Sequence, residues 1–163
     1  MGGGDASDGG FLGDVSVSDD GSMLAYVRAV RVPKGPRSVL KTLIWVARAD
    51  GTDPHMFDDG VPDIGYYGGF PIGDFDPELS PDNREVVFTR TNPRFVNFKD
   101  SINTAHDLWI APVDRSRPAR RITAPGLVSI IPDWRDGRIL YRHGGDERAA
   151  QNGIHHPPPH LSG

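Results

Sequence analysis

The sequence predicts an all-β protein built from antiparallel strands that repeat in units along the chain. Short apolar runs rich in β-branched and aromatic residues are bounded by turn residues, as in 23–27, 43–47, 86–89 and 108–111, which is typical of strands. No segment of about twelve residues keeps a helical period between the Gly and Pro residues that interrupt it. The chain's 163 residues suit one domain.

The apolar runs recur in the same order at a nearly constant spacing. Residues 17–21 match 79–83 at an offset of 62 residues, and residues 44–47 match 108–111 at an offset of 64. A third, shortened copy follows in residues 132–142. The chain therefore contains two full repeats and about half of a third.

Each copy contains a tight turn at the same place. Gly21 and Gly137 can adopt the positive φ that a tight hairpin needs, and Asn83 is the next most suitable residue there. The carboxylates of Asp20 and Asp82 can accept hydrogen bonds from nearby backbone N–H groups and hold the turn. One such turn would be weak evidence, but three in register with matching strands indicate an internal repeat.

The ends of the chain differ in composition from this repeated part. The Gly- and Asp-rich residues 1–10 are predicted to form a flexible leader, and the His- and Pro-rich residues 143–163 a disordered tail. The folded part is then 11–142. Its strands are predicted near residues 12–18, 22–30, 42–49, 54–58, 75–80, 84–91, 107–113 and 119–123, with the third copy in 128–142.

Residues 76–88, Asp-Pro-Glu-Leu-Ser-Pro-Asp-Asn-Arg-Glu-Val-Val-Phe, resemble the repeat of TolB-type β-propellers, in which a Trp/Leu-Ser-Pro-Asp-Gly turn joins two paired strands. Residues 106–114 resemble the second strand pair of that repeat. Residues 120–123, Arg-Arg-Ile-Thr, resemble its closing Arg-Arg-Leu-Thr, and residues 132–137 resemble the next turn. The resemblance covers about residues 11–142.

The resemblance implies four-stranded antiparallel blades of a β-propeller, arranged as an incomplete ring of about two and a half blades. The blades occupy about residues 11–58 and 74–123, and half a blade occupies 128–142. A propeller ring usually closes with about four to eight blades. The open blade edges are therefore predicted to allow self-association.

The resemblance also implies a function in binding. Similar repeats occur in the TolB periplasmic accessory protein, in propellers of prolyl-oligopeptidase-like peptidases and in propeller lyases. The first implied function is a non-enzymatic protein-binding scaffold that binds partners through long loops on one face. The alternative is a fragment of a substrate-gating propeller domain from such a peptidase or lyase. A TolB-like parent implies the periplasm and any other parent the cytoplasm, while residues 1–10 lack a secretory-signal pattern.

Long segments at 30–41, 59–73 and 91–106 are predicted to be loops on the same side of the strands. A rigid scaffold often carries its binding residues on such loops, and interfaces are enriched in aromatic residues and Arg. The partner is predicted to be a protein or peptide that is neutral or anionic at the contact. The candidate partner-binding residues are Arg31, Lys34, Arg37, Tyr66, Tyr67, Phe70, Arg94, Phe95, Phe98 and Lys99.

Several kinds of catalytic or metal site lack a motif in this sequence. There is no Gly-x-Ser-x-Gly element and no His-Glu-x-x-His pair, so no catalytic residue is assigned and enzymatic activity is left open. Asp74, Asp76 and Asp82 do not have the spacing of a calcium loop. His106 and Asp107 are explained more simply by strand entry than by proton transfer. No metal or cofactor is predicted.

Charge and hydropathy limit the classes of partner. A net charge of −4 lacks the basic excess of a nucleic-acid-binding protein. No run of about 18 apolar residues is present, so membrane insertion is not predicted. The chain has no cysteine, which excludes disulfides and thiolate metal sites.

Overall fold

A computed structural model describes residues 12–34, 37–57, 72–92, 106–125 and 128–144. Every regular element within these ranges is a β-strand, and the ranges contain no helix. The all-β prediction is therefore confirmed. The strands are β1 (Leu12–Val17), β2 (Met23–Lys34), β3 (Arg37–Arg48), β4 (His55–Phe57), β5 (Ile72–Leu79), β6 (Glu85–Thr91), β7 (His106–Pro112), β8 (Arg120–Arg121), β9 (Val128–Arg135) and β10 (Arg138–Gly144).

The strands form three successive units with the same local order. Unit 1 contains β1 to β4, unit 2 contains β5 to β8, and unit 3 contains β9 and β10. Consecutive strands within each unit pair antiparallel. The units coincide with the sequence repeats because turn chemistry and apolar alternation determine where each strand begins and ends. In unit 3, β10 ends at Gly144, two residues beyond the predicted end of the folded part.

The units are joined into one mixed sheet that curls 227° round an axis. β5 begins beside the third strand of unit 1, with Lys41 and Thr42 of β3 as its parallel partners. β9 begins beside β7, through the pair His106–Val128. The sequence predicts separate antiparallel blades, and the structure instead links adjacent units by these short parallel contacts. In both links, the first strand of the later unit starts next to the third strand of the unit before it.

The β2–β3 hairpin of unit 1 is longer than predicted. The sequence predicts a loop at 30–41, but β2 and β3 pair continuously as far as Lys34–Arg37. β1 pairs with β2 only up to Arg28, so no described strand pairs with the far part of β2 on that side. A proline such as Pro33, which lacks an N–H, is tolerated in such an edge position. The prediction of a loop at 30–41 is therefore wrong.

The first turns of units 1 and 2 are held by the same hydrogen bonds. The Ser18 hydroxyl donates to Asp20 Oδ1 at 2.7 Å and accepts from the Met23 N–H at 2.9 Å. Each side chain thereby satisfies backbone or side-chain groups that a tight turn would leave unpaired. The equivalent residues of unit 2, with the same two distances, are Ser80, Asp82 and Glu85.

The first strand of every unit has a bulge at the equivalent residue. Asp14, Asp76 and Ile131 have positive φ angles of 28°, 47° and 54°, and the strand register shifts beside each of them. An extra residue on one strand bends it and increases its twist. The repeated bulge therefore contributes to the curl of the sheet.

The main hydrophobic core lies between unit 1 and unit 2. One face of unit 1 packs against the facing side of unit 2, and each contributing side chain is at most 4% exposed. Burial of apolar area is the main favourable contribution to folding, so the two units are held together chiefly by this contact. The core residues are Ala25, Val27, Ile44, Val46 and Phe57 from unit 1 and Leu79, Val86, Phe88 and Ala111 from unit 2.

Candidate functional site

Strand pairing brings the ends of two long segments together. Residues 58–71 lead into β5 at Ile72, which pairs with β3. Residues 93–105 separate β6 from β7, and Thr91 at the end of β6 pairs with His106 at the start of β7. Both attachments lie at the end of the sheet beyond which the β2–β3 hairpin continues. We call this end the segment end, and the opposite end, with the tight turns, the turn end.

The predicted partner-binding residues fall into two groups. Arg31, Lys34 and Arg37 lie in β2 and β3 rather than in a loop, so the structure brings these three positions onto one hairpin. The other seven lie outside the described residues and remain predictions. They are Tyr66, Tyr67, Phe70, Arg94, Phe95, Phe98 and Lys99.

The β2–β3 hairpin has a charge opposite to that of the whole chain. Between Met23 and Arg48 it carries six basic residues and no acidic one, whereas the net charge of the chain is −4. Positive charges concentrated on one element produce a local field that attracts anionic groups. The basic residues are Arg28, Arg31, Lys34, Arg37, Lys41 and Arg48.

A buried ion pair lies at the segment end of unit 2. Arg90 donates from Nε to Asp74 Oδ1 at 2.7 Å and from Nη2 to Asp74 Oδ2 at 2.8 Å. The guanidinium also lies over the rings of Phe88 and Trp109, at 5.1 Å and 4.7 Å from their centroids. Bidentate hydrogen bonding and cation–π contacts together offset the desolvation of the two charges.

Sequence reasoning misses this ion pair for two reasons. Asp74 and Arg90 are sixteen residues apart, so only the pairing of β5 with β6 brings them together. The repeat gives no signal either, because unit 1 has Leu12 opposite Arg28 at the equivalent positions. The one available signal is that Arg90 is a charged residue inside the predicted strand 84–91, with Asp74 directly before the predicted strand 75–80.

Further polar contacts fix the strand ends to which the segments attach. Asn92 Nδ2 donates to Asp107 Oδ2 at 2.7 Å, and Arg121 Nη1 lies 3.7 Å from the same oxygen. The Gly73 N–H donates to the Thr91 hydroxyl at 3.3 Å. Because these groups are at the beginning of β5 and β7 and the end of β6, the attachment points of both segments have defined positions.

His106 and Asp107 begin β7, in agreement with the strand-entry interpretation. The His106 ring meets the Phe75 ring edge to face, with centroids 6.4 Å apart. Asp74 is paired with Arg90, and Asp82 accepts the Ser80 hydroxyl in a turn. Within the described part of the chain, no group of three His, Cys, Asp or Glu side chains is arranged to hold a metal ion.

Two carboxylates near the boundaries between units have raised pKa values. Burial raises the pKa of Asp76, and the nearby carboxylate of Asp14 raises it further. Asp76 Oδ2 accepts from Thr89 Oγ1 at 3.1 Å and from the Ile131 N–H at 3.3 Å, so this side chain links unit 2 to unit 3. Burial likewise raises the pKa of Glu78.

The turn end differs from the segment end in its chemistry. A surface groove of about 670 Å³ lies between two turns of unit 2 and contains residues of both charges, including the ion pair of Arg117 with Glu85. Hydrogen bonds from Ser116 lower the pKa of Asp114, which also lines this groove. Glu85 and Asp114 therefore already accept hydrogen bonds from protein groups, which leaves less negative charge in the groove free to bind a ligand.

Comparison of the sequence with protein-family models finds no match, and comparison with curated proteins finds none. Within the described ranges, the structure has no helical segment suited to crossing a lipid bilayer. The geometry above is therefore the basis for a functional proposal.

Proposed function

We propose that this chain is a non-enzymatic protein-binding scaffold, a partial β-propeller that holds a protein or peptide partner at its segment end. The observation that carries the proposal is the β2–β3 hairpin, with six basic residues and no acidic one in a chain of net charge −4. The hairpin and the segments 58–71 and 93–105 together form the proposed contact surface.

Contacts between the first strands of the units support the propeller part of the proposal. The Leu79 N–H donates to Ser16 Oγ at 3.3 Å, which joins β5 to β1. The Ile131 N–H donates to Asp76 Oδ2 at 3.3 Å, which joins β9 to β5. A propeller repeats four-stranded sheets round a central axis, and the successive units here likewise follow one another round an axis, over 227°.

The chemistry of the hairpin indicates the kind of partner. Arg pairs with carboxylates through two parallel hydrogen bonds and is enriched at protein interfaces. The segments 58–71 and 93–105 contain the aromatic residues predicted to contact a partner. These side chains would add apolar contact area, and each loses little conformational entropy when a partner binds. They are Tyr66, Tyr67, Phe70, Phe95 and Phe98. The proposed partner is therefore an acidic protein surface or peptide that also contains apolar side chains.

The buried polar contacts at the segment end support a role in binding. The Asp74–Arg90 pair and the Asn92–Asp107 hydrogen bond hold the strand ends to which the segments attach. A binding surface on a fixed base loses less conformational entropy when its partner docks. The ends of β5, β6 and β7 provide such a base.

The proposal is tested by fluorescence anisotropy with a labelled Glu-rich peptide that contains Tyr and Phe. One variant reverses three charges of the hairpin, with the substitutions Arg31→Glu, Lys34→Glu and Arg37→Glu. A matched control reverses three exposed charges elsewhere, with the substitutions Arg84→Glu, Arg120→Glu and Arg138→Glu. A third variant removes predicted aromatic contacts, with the substitutions Tyr66→Ala, Tyr67→Ala and Phe98→Ala.

We expect the hairpin variant to bind the peptide about tenfold more weakly, because exposed ion pairs contribute about 0.2–1 kcal/mol each and about 1.4 kcal/mol is tenfold. The control variant should lose much less, although its net charge changes equally. Equal losses in the hairpin and control variants would overturn the proposal. So would unchanged binding by the aromatic variant, or tighter binding of a single-stranded oligonucleotide than of the peptide.

A further inference from the structure

The alternation of β1 is the reverse of that in an ordinary core strand. Ser16 and Ser18 are 7% and 5% exposed, whereas Val15 and Val17 are 60% and 56% exposed. In a strand with one covered face, apolar residues occupy the covered face and polar residues face solvent. The two valines therefore mark a face of β1 that no described residue covers.

Unit 2 shows what covers the equivalent face. At the offset of 62 residues, Val15 and Val17 are equivalent to Pro77 and Leu79. Both of these are buried, and Leu79 is only 4% exposed. Leu79 belongs to the core that packs on unit 1. The natural cover for such a face is thus another unit of the same pattern.

Aromatic residues of the second and third strands also differ in burial between unit 1 and unit 2. In unit 2, Phe88 is fully buried, and Arg90 lies 4.7 Å from the Trp109 ring centroid. In unit 1, the equivalent Arg28 lies 5.3 Å from the Trp45 centroid, but Arg28 is exposed, and Tyr26, the equivalent of Phe88, is only half-buried. The guanidinium and the aromatic ring of the second strand are therefore buried in unit 2 and more open in unit 1. We call the surface of Val15, Val17, Arg28 and Trp45 the leading face.

The other end of the curl carries an exposed apolar residue on the opposite face of the repeat. Leu140 of β10 is equivalent in strand register to Val87 of unit 2 and Ala25 of unit 1. Val87 and Ala25, each in a unit that is followed by another, are 0% exposed, whereas Leu140 is 58% exposed. We call the surface around Leu140 the trailing face.

We propose that copies of this chain associate head to tail, with the trailing face of one copy packed on the leading face of the next. A second copy is the occupant because one chain carries both faces. In the core between units 1 and 2, Ala25 and Val27 of β2 show how the β10 side of such a contact packs. Without such a contact, the exposed valines and leucine would leave apolar side chains in water, which is unfavourable. The inference does not depend on the proposed partner of the segment end.

The curl of the sheet determines how such an assembly grows. A head-to-tail contact joins two different surfaces, so it forms a ring only if the rotation closes, and otherwise an open chain. One copy already curls 227°, so two copies that continue the same curl would exceed a full turn. We therefore expect an assembly whose mass increases with concentration rather than a fixed dimer.

The test is light scattering after size exclusion over a range of concentrations, with two blocked variants. Val15→Asp with Val17→Asp blocks the leading face, and Leu140→Asp blocks the trailing face. These side chains are exposed, so the folded unit should be retained, which circular dichroism checks. Arg84→Asp, at an exposed position away from both faces, is the control.

We expect the unmodified chain to rise from 17.8 kDa to at least twice that mass with concentration, and Arg84→Asp to behave in the same way. Each blocked variant alone should stay at the mass of one chain. An equal mixture of the two variants should form a species of twice that mass, because each supplies the face that the other lacks. This complementation distinguishes head-to-tail contact from other modes.

Three outcomes would overturn the inference. The first is that the chain keeps the mass of one copy at every concentration, which would mean that no second copy covers these faces. Self-association by Leu140→Asp alone indicates contact between two leading faces instead. A mixture of folded blocked variants that stays at the mass of one chain excludes the head-to-tail contact itself.

Discussion

Arg90 and Asp74 are in direct bidentate contact although both side chains are shielded from water. The Nε–Oδ1 and Nη2–Oδ2 distances are 2.7 Å and 2.8 Å, and the side chains are 2% and 0% exposed. The equivalent positions of unit 1 hold Leu12 and Arg28, so the repeated fold does not require an ion pair here. The pair instead joins β5 to β6 at the end where the long segments attach.

Removal of one partner leaves the other charge buried without its counter-ion. We expect Asp74→Ala or Arg90→Ala to lower the free energy of unfolding by about 3–5 kcal/mol. The double variant Asp74→Leu/Arg90→Met should be more stable than either single variant, because no charge is left buried. Denaturant unfolding followed by circular dichroism measures all three.

An exposed ion pair of the same unit is the control for this prediction. Arg84 Nε lies 3.9 Å from Asp82 Oδ2, and the side chains are 84% and 62% exposed. Arg84→Ala should cost at most about 1 kcal/mol, because solvent screens the pair. A double variant at Asp74 and Arg90 that is less stable than both single variants would contradict the desolvation argument.

Gly73 is constrained by a close approach of two backbones. Its φ is 149°, and a Cβ at this residue would lie 2.2 Å from the carbonyl oxygen of Thr42. We expect Gly73→Ala to destabilise the fold by about 2 kcal/mol or more, because β5 must move away from β3. Gly51 has a φ of 81°, and a Cβ added there would meet no atom within 4 Å, so this residue shows the cost of a positive φ without a clash. Gly51→Ala should cost about 1 kcal/mol, and equal losses at the two sites would refute the steric explanation.

The turn carboxylate of Asp20 makes the fold sensitive to acid. Hydrogen bonds from the hydroxyl and N–H of Ser22 lower the pKa of Asp20 well below its ordinary value of 3.8. A lowered folded-state pKa contributes stability above pH 3.8, and that contribution is lost as the pH falls toward the folded-state pKa. We expect the Tm of Asp20→Asn to fall less than that of the unmodified chain between about pH 5 and about pH 2. Parallel Tm curves would show that Asp20 is not responsible.

Asp76 should produce the opposite dependence on pH. Burial raises its pKa above the ordinary 3.8, so the folded state favours the protonated form. That stability is complete below pH 3.8 and is lost as the pH rises through the folded-state pKa. We expect Asp76→Asn, which retains a carbonyl acceptor, to gain stability over the unmodified chain at about pH 7 and to lose the gain below about pH 4. Thermal unfolding at a series of pH values tests this, and a difference independent of pH would contradict it.

The strand positions are largely predictable because local residue types determine them. The β6 strand, Glu85–Thr91, lies within one residue of its predicted bounds, since a turn with Asp82 and Asn83 precedes an uninterrupted apolar run. The full length of the β2–β3 hairpin is not predictable in this way. Pro33 normally ends a strand, and it is tolerated here because no described strand pairs with β2 beyond Arg28 on the side away from β3.

The candidate site is less predictable from the sequence than the fold. The basic positions Arg31, Lys34 and Arg37 form a group of near neighbours in sequence, and the structure shows that they share a hairpin. The buried pair of Asp74 and Arg90 has no such signal, because it depends on which residues face each other across two strands.

The sequence by itself determined the strands, the tight turns and the repeat, because alternation and turn chemistry act over a few neighbouring residues. The tertiary structure alone decided which equivalent faces are covered. Val17 and Leu79 occupy the same place in their units, yet they are 56% and 4% exposed. Burial depends on what packs against a residue, and unit 1 covers Leu79 whereas no described unit covers Val17.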